Sequence, residues 1–167
     1  LPTYMGMCLP LRKQCQKIAD KLKEKEHMFI LGKGLGEPIA QEGALKIKEI
    51  SYIHAEGYGG GSLKHGPFAL LDKGTPVIFL IFSGPNAQHM RIAAQEVKAR
   101  GAFNIVITDN PALCRGVADE VIAIPNNGPL TPLLAVVPMQ LLAYELSVAR
   151  GINPDKPRHL AKAVTVD

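Results

Sequence analysis

Tryptophan is missing from this 167-residue chain, aromatic side chains make up only 5% of it, and it holds no C-x-x-C or H-x-x-x-H pair. Each absence closes off a class of function. With so few aromatics, and with basic residues scattered along the chain despite a formal charge of +4, a nucleic-acid surface is not expected. The same basic balance does suit a small anionic substrate such as a sugar phosphate. Cys8, Cys15 and Cys114 are odd in number. On a helix, Cys8 and Cys15 would stand about 10 Å apart along the axis, beyond disulfide reach, so reduced thiols in a cytoplasmic setting are expected. A metal centre is disfavoured because no histidine pair has ligand spacing and the clustered carboxylates share their stripe with a lysine. There is no signal peptide or lipidation motif, and the chain starts on Leu1 without a methionine, so it reads as part of something longer.

What is present suffices for one domain: 47% hydrophobic content over this length removes about two thirds of the unfolded surface from water. Residues 1 to 8 carry no periodic signal. Leu11, Cys15, Ile18 and Leu22 then recur at helical spacing against Arg12, Lys13, Lys17, Lys21 and Lys25. This predicts an amphipathic helix whose basic face is either solvated or turned toward another domain or subunit. Met28 to Leu31 predicts a short strand running into Gly32-Lys-Gly-Leu-Gly36 and a helix, a general anion-binding arrangement. The glycine spacing lacks the dinucleotide fingerprint and no P-loop follows, so no nicotinamide or flavin cofactor is expected, and a tight turn accounts for the glycines equally well.

Ser51 to Glu56 reads as a bridge into an irregular run, Gly57-Tyr-Gly-Gly-Gly61. Gly66 and Pro67 then stop any helix and leave Lys64 and His65 at its end. Strands are predicted over 76–82, 104–109 and 120–125, and helices over 87–100, 111–116 and about 130–150. This alternation predicts a three-layer α/β/α sandwich with a mostly parallel sheet, whose ligands belong at the carboxyl ends of the strands. The last helix is apolar nearly all round. Pro138, Gln140 and Glu145 are expected to keep it short of a membrane span, leaving core packing or subunit contact as alternatives. Beyond Gly151 the tail shows no period and reads as an extended arm.

The chemistry concentrates in Glu42-Gly-Ala-Leu-Lys46-Ile-Lys-Glu49, with His65 sixteen residues after Glu49. At roughly 100° per residue, Glu42, Lys46 and Glu49 fall within about 60° of one another on a helix. Leu45 on one side and Ile39 and Ile50 on the other predict an apolar frame. A carboxylate in such a frame, three residues from an amine, is either a general base for a carbon acid or half of a structural ion pair. His65 is either a catalyst or an ordinary loop histidine, and spacing alone would leave Lys162 solvated.

Four segments resemble the second sugar isomerase (SIS) domain, with its C-terminal tail, of the glucosamine-6-phosphate synthase family. They are Glu42 to Glu56, Leu63-Lys-His-Gly-Pro67, Pro138-Met-Gln-Leu-Leu-Ala143 and Leu160-Ala-Lys-Ala-Val-Thr-Val-Asp167. The resemblance implies a flavodoxin-like SIS domain over residues 27–151, an N-terminal helix and linker over 1–26, and a tail over 152–167 that covers the active site. It further implies conversion of fructose 6-phosphate and ammonia to glucosamine 6-phosphate without metal or organic cofactor. In that reaction Glu49 would shuttle a proton between C1 and C2, beside Lys46 and Glu42. His65 would assist ring opening across a subunit boundary, and Lys162, with Ala161, would hold the open-chain sugar from the tail. Implied partners are a glutaminase domain, a first SIS domain and further copies in a homodimer or higher oligomer, with neither nucleic acid nor membrane.

The chain departs from the family pattern at Ser62, His159 and Ala163, where glutamate, asparagine and serine are usual. The segment Phe82-Ser83-Gly84-Pro85-Asn86 holds one serine where the other SIS domain has a Ser/Thr-rich phosphate loop. The isolated chain is therefore expected to be inactive. The rival expectation is a SIS module that senses sugar phosphates without catalysis.

Overall fold

The computed structural model describes residues 1–160. Helices α1 (Pro2–Cys8) and α2 (Arg12–Leu22) are followed by β1 (His27–Gly32), α3 (Gly36–Ser51) and β2 (His54–Gly59). Two 3-10 turns, Ser62–His65 and Pro67–Leu70, lead into β3 (Pro76–Leu80), then α4 (Ala87–Lys98), β4 (Phe103–Thr108) and β5 (Glu120–Ala123). The last described elements are α5 (Thr131–Leu134) and α6 (Val136–Ala149). The strands form one wholly parallel sheet of order β2-β1-β3-β4-β5, the flavodoxin-like order, with helices on both faces.

The two faces bury separate cores. In β3 the period of two sends Ile78 and Leu80 to one side and Val77 and Phe79 to the other. The first side packs against α2, α3 and α6 through Ile18, Leu22, Ile39, Ile47, Leu142 and Leu146. The second packs against α4 and the Ser62–His65 turn through Met90, Ala94, Val97 and Leu63. Each fully buried Ile or Leu stabilises the fold by about 1.5–3 kcal/mol, so α3 is fixed to its face by hydrophobic burial.

Two elements were not expected from the sequence. The N-terminal segment is helical over Pro2–Cys8, and the bridge and glycine run form β2, an edge strand with no β-branched residue. The strand's glycines explain the second case. A Cβ at Gly57 would lie 2.6 Å from Gln41 Cα and 2.7 Å from its N, so α3 approaches β2 closely only because no side chain intervenes. Gly32 is equally constrained, with a Cβ placed 2.1 Å from the Gly36 carbonyl oxygen, which supports the tight-turn explanation of that loop.

The expected single helix at 130–150 divides at Ala135 into α5 and α6. Pro138 is tolerated because it lies in the first turn of α6, where an N–H has no intrahelical partner. The stretch Gly128–Ala149 has 22 residues and a mean hydropathy of 1.5 in its most apolar window, so it does reach the length and apolarity of a membrane span, contrary to expectation. Its placement in the fold is that of a core helix: Leu134, Met139, Leu142, Ala143 and Leu146 are buried against α2 and α3, while Leu133, Tyr144 and Val148 remain exposed. Glu145, buried on the same helix, is held by Arg12 Nε at 2.6 Å.

Candidate active site

α3 begins beside the carboxyl end of β1 and, at 1.5 Å per residue, runs about 24 Å back toward the amino end of the sheet. Its buried residues Ile39, Ala40, Ala44 and Ile47 fix its rotation and leave Glu42, Lys46 and Glu49 on an accessible face. There Lys46 Nζ donates to Glu49 Oε2 at 2.7 Å and lies 3.8 Å from Glu42 Oε1. The hydrogen bond to Glu49 holds the Lys46 ammonium above the usual lysine range, against a smaller desolvation effect. The expected apolar frame is one-sided. Ile39 is buried, but Leu45 is 43% exposed and the three charged side chains are 28–42% exposed. Glu49 lines an open groove where the helix ends, one residue before Tyr52.

That groove, about 400 Å³ in volume, is lined by Glu49, Tyr52, Ile53, His54 and the tail residues Arg158 to Leu160. Tyr52 stands in the left-handed conformation, with φ 60°. Its Oη accepts from the Arg158 backbone N–H at 2.8 Å, and the Arg158 guanidinium stacks 4.3 Å from the centre of its ring. His54, first residue of β2, contacts Glu56 Oε1 through Nε2 at 3.1 Å, while Tyr58 Oη donates to Glu56 Oε2 at 2.5 Å. These bonds, Tyr58's first and His54's second, hold the Glu56 carboxyl below the usual carboxylate range. Glu56 in turn pushes the Tyr58 phenol up. The residues sequence reasoning missed are Tyr52, His54 and Arg158. Tyr52 and His54 stood inside the quoted Glu42–Glu56 motif, but only the docking of the tail shows what they face.

His65 ends the Ser62–His65 turn and is exposed, as the Gly66-Pro67 stop predicts. Its neighbour Lys64 donates to Glu96 Oε1 on α4 at 2.7 Å, and Leu63 anchors the turn in the core shared with α4. His65 therefore lies on the opposite face of the sheet from Glu49, and one copy of the chain does not bring the two together. Lys162 and Ala161 lie outside the described residues. A smaller cavity of about 240 Å³ opens at the carboxyl ends of β1 and β3, where the strand order reverses, lined by Lys33, Phe82, Ser83, Asn86 and Thr131. The carboxyl-end rule thus locates a cavity in this fold but not the charged stripe, whose Glu49 lies toward the other end of α3. Among the described residues, no three His, Cys, Asp or Glu side chains are grouped so as to hold a metal ion.

The glutamine–fructose-6-phosphate aminotransferase (isomerizing) of Thermococcus kodakarensis is 47% identical over 168 residues, covering 100% of this chain but 28% of that relative. The chain thus spans less than a third of the length of this curated relative. Among solved structures, the C-terminal domain of glucosamine-fructose-6-phosphate aminotransferase from Francisella tularensis matches with a TM-score of 0.87 at 37% identity, over 92% of this chain and 44% of that one. Glucosamine-6-phosphate deaminase from Thermotoga maritima matches with a TM-score of 0.67 at 30% identity, over 96% and 49% respectively. The family model described as SIS domain matches residues 21–150, which takes in the whole sheet and both helical layers, and the chain belongs to the SIS domain family.

Proposed function

We propose that this chain supplies the acid–base half of a sugar-phosphate isomerase site, in an enzyme that converts fructose 6-phosphate and ammonia from glutamine to glucosamine 6-phosphate. The observation that carries the proposal is Glu49, hydrogen-bonded to Lys46, on the wall of a groove whose other wall is Arg158 to Leu160 of the C-terminal tail. Glu49 removes a proton from one carbon of the open-chain sugar and returns it to the neighbouring carbon. Lys46 orients the carboxylate through its hydrogen bond, and Glu42 holds the other side of Lys46. Lys162 follows Leu160 by two residues and, with Ala161, contacts the sugar from the tail.

Because His65 and Glu49 occupy opposite faces of the sheet, the ring-opening histidine of any one site comes from a second copy in a homodimer or larger oligomer. Similarity to longer relatives supports further domains, a glutaminase and a first SIS domain, the latter holding the sugar's phosphate. The isolated chain is then inactive. A cytoplasmic setting accords with the free, buried state of all three cysteines.

In the full-length protein carrying this chain, Glu49→Gln is expected to slow exchange of the C1 and C2 hydrogens of the sugar with solvent by about 10²–10⁴-fold, the usual contribution of a positioned base. Exchange at the unaltered rate would remove Glu49 from the reaction.

A further inference from the structure

Tyr52 follows the last residue of α3 at φ 60° and ψ 16°. This is the position that helices commonly give to glycine, because a Cβ there is strained. Among the described residues only one other non-glycine, His159, has a positive φ, and it stands in the same groove. An aromatic residue persists in such a conformation where its side chain is held, and Tyr52 is held twice. Its hydroxyl accepts from the Arg158 backbone N–H and its ring carries the Arg158 guanidinium. Both contacts join segments 106 residues apart, and they lie three positions from Glu49. The left-handed turn at His159 then directs the chain to Leu160, on the same groove wall.

We infer that Tyr52 is a positioning residue, a clamp that seats the arm at Arg158 to Leu160 on the groove wall opposite Glu49 and so sets the shape of the groove the substrate meets. The inference rests on the reading of Glu49 as the proton shuttle. A purely structural role for Tyr52 would be that of a helix terminator, and glycine fills that role at least as well. Tyr52→Gly therefore separates the two roles: it relaxes the backbone while removing both contacts to the arm. Tyr52→Phe removes the hydroxyl and keeps the ring.

The test uses the full-length protein. It measures kcat and KM for fructose 6-phosphate, the melting temperature, and the rate of tryptic cleavage at the Arg158–His159 bond followed by mass spectrometry. Tyr52→Phe is expected to lower kcat/KM about fivefold, the worth of one hydrogen bond, and to speed cleavage. Tyr52→Gly is expected to lower kcat/KM about tenfold or more, from loss of hydrogen bond and stack together, with faster cleavage and no fall in melting temperature.

Wild-type kcat/KM in Tyr52→Gly overturns the inference, whether or not cleavage accelerates. So does an activity loss that tracks a fall in melting temperature with cleavage at Arg158 unchanged. Glu49→Gln measured alongside keeps the two failures apart. If that variant stays active, the proton-shuttle reading fails; if it is inactive while both Tyr52 variants match wild type, only the clamp fails.

Discussion

Gly57→Ala adds one methyl group where α3 meets β2, and the structure states what that methyl meets. Its Cβ would lie 2.6 Å from Gln41 Cα, 2.7 Å from Gln41 N and 2.8 Å from the Ala40 carbonyl oxygen, all backbone atoms of α3. None can rotate aside, so ordinary contact returns only if the helix moves off the strand by about 1 Å, the gap between these distances and a carbon–carbon contact. Overpacking of this kind costs about 1–3 kcal/mol, and the backbone partners place Gly57→Ala in the upper half of that range. For a chain of this size that is a fall in melting temperature of about 4–10 °C by calorimetry.

Because α3 carries Glu49 and β2 begins with His54, the same displacement widens the groove, and isomerase activity in the full-length protein is expected to fall below what the melting temperature alone accounts for. Gly6→Ala is the control, since a Cβ there meets nothing within 4 Å and alanine favours the helix. An unchanged melting temperature in Gly57→Ala, or the same effect from Gly6→Ala, would refute the close-approach explanation of β2.

Glu56 gives an acid-limb expectation. Its folded pKa is lowered from 4.5, so the stability it contributes is present above that value and is lost as pH falls through the folded value. Glu56→Gln should therefore lower the melting temperature between pH 6 and 8 and flatten its loss below about pH 4.5, so that the two proteins converge in acid; a deficit that stays the same across this range would contradict the assignment. The thiol of Cys15, pushed up to about 12 by burial and then by the nearby Glu145, should resist alkylation at pH 8 until the protein is denatured, and labelling of folded protein within minutes would show that the α2–α6 contact is wrong.

Much of the fold is legible in the sequence because its signals are local. The runs at Met28, Pro76, Asn104 and Glu120 are apolar and short, and parallel strands buried on both faces read that way. The spacing of Glu42, Lys46 and Glu49 survives as a real triad because it depends only on helical geometry. β2 was not legible: His-Ala-Glu-Gly-Tyr-Gly has neither alternation nor β-branched residues, and it is a strand because β1 pairs with it and α3 lies against its glycines. The groove was not legible either, since it needs Arg158 to return to Tyr52 across 106 positions, a contact that no periodicity encodes. Nor does spacing tell that His65 and Glu49, sixteen residues apart, end up on opposite faces of the sheet; that follows from β2 lying between them.

The opposed placement of these two residues is what makes the site half of one. Full-length Glu49→Gln and His65→Asn proteins, each inactive alone, can be dissociated, mixed and reassociated. If Glu49 of one copy works with His65 of another, mixed pairs contain one site with both native residues, and about a quarter of wild-type activity should return from random pairing in a two-fold dimer. If both residues served the same chain, every site in the mixture would lack one of them and activity would stay at the level of the separate variants.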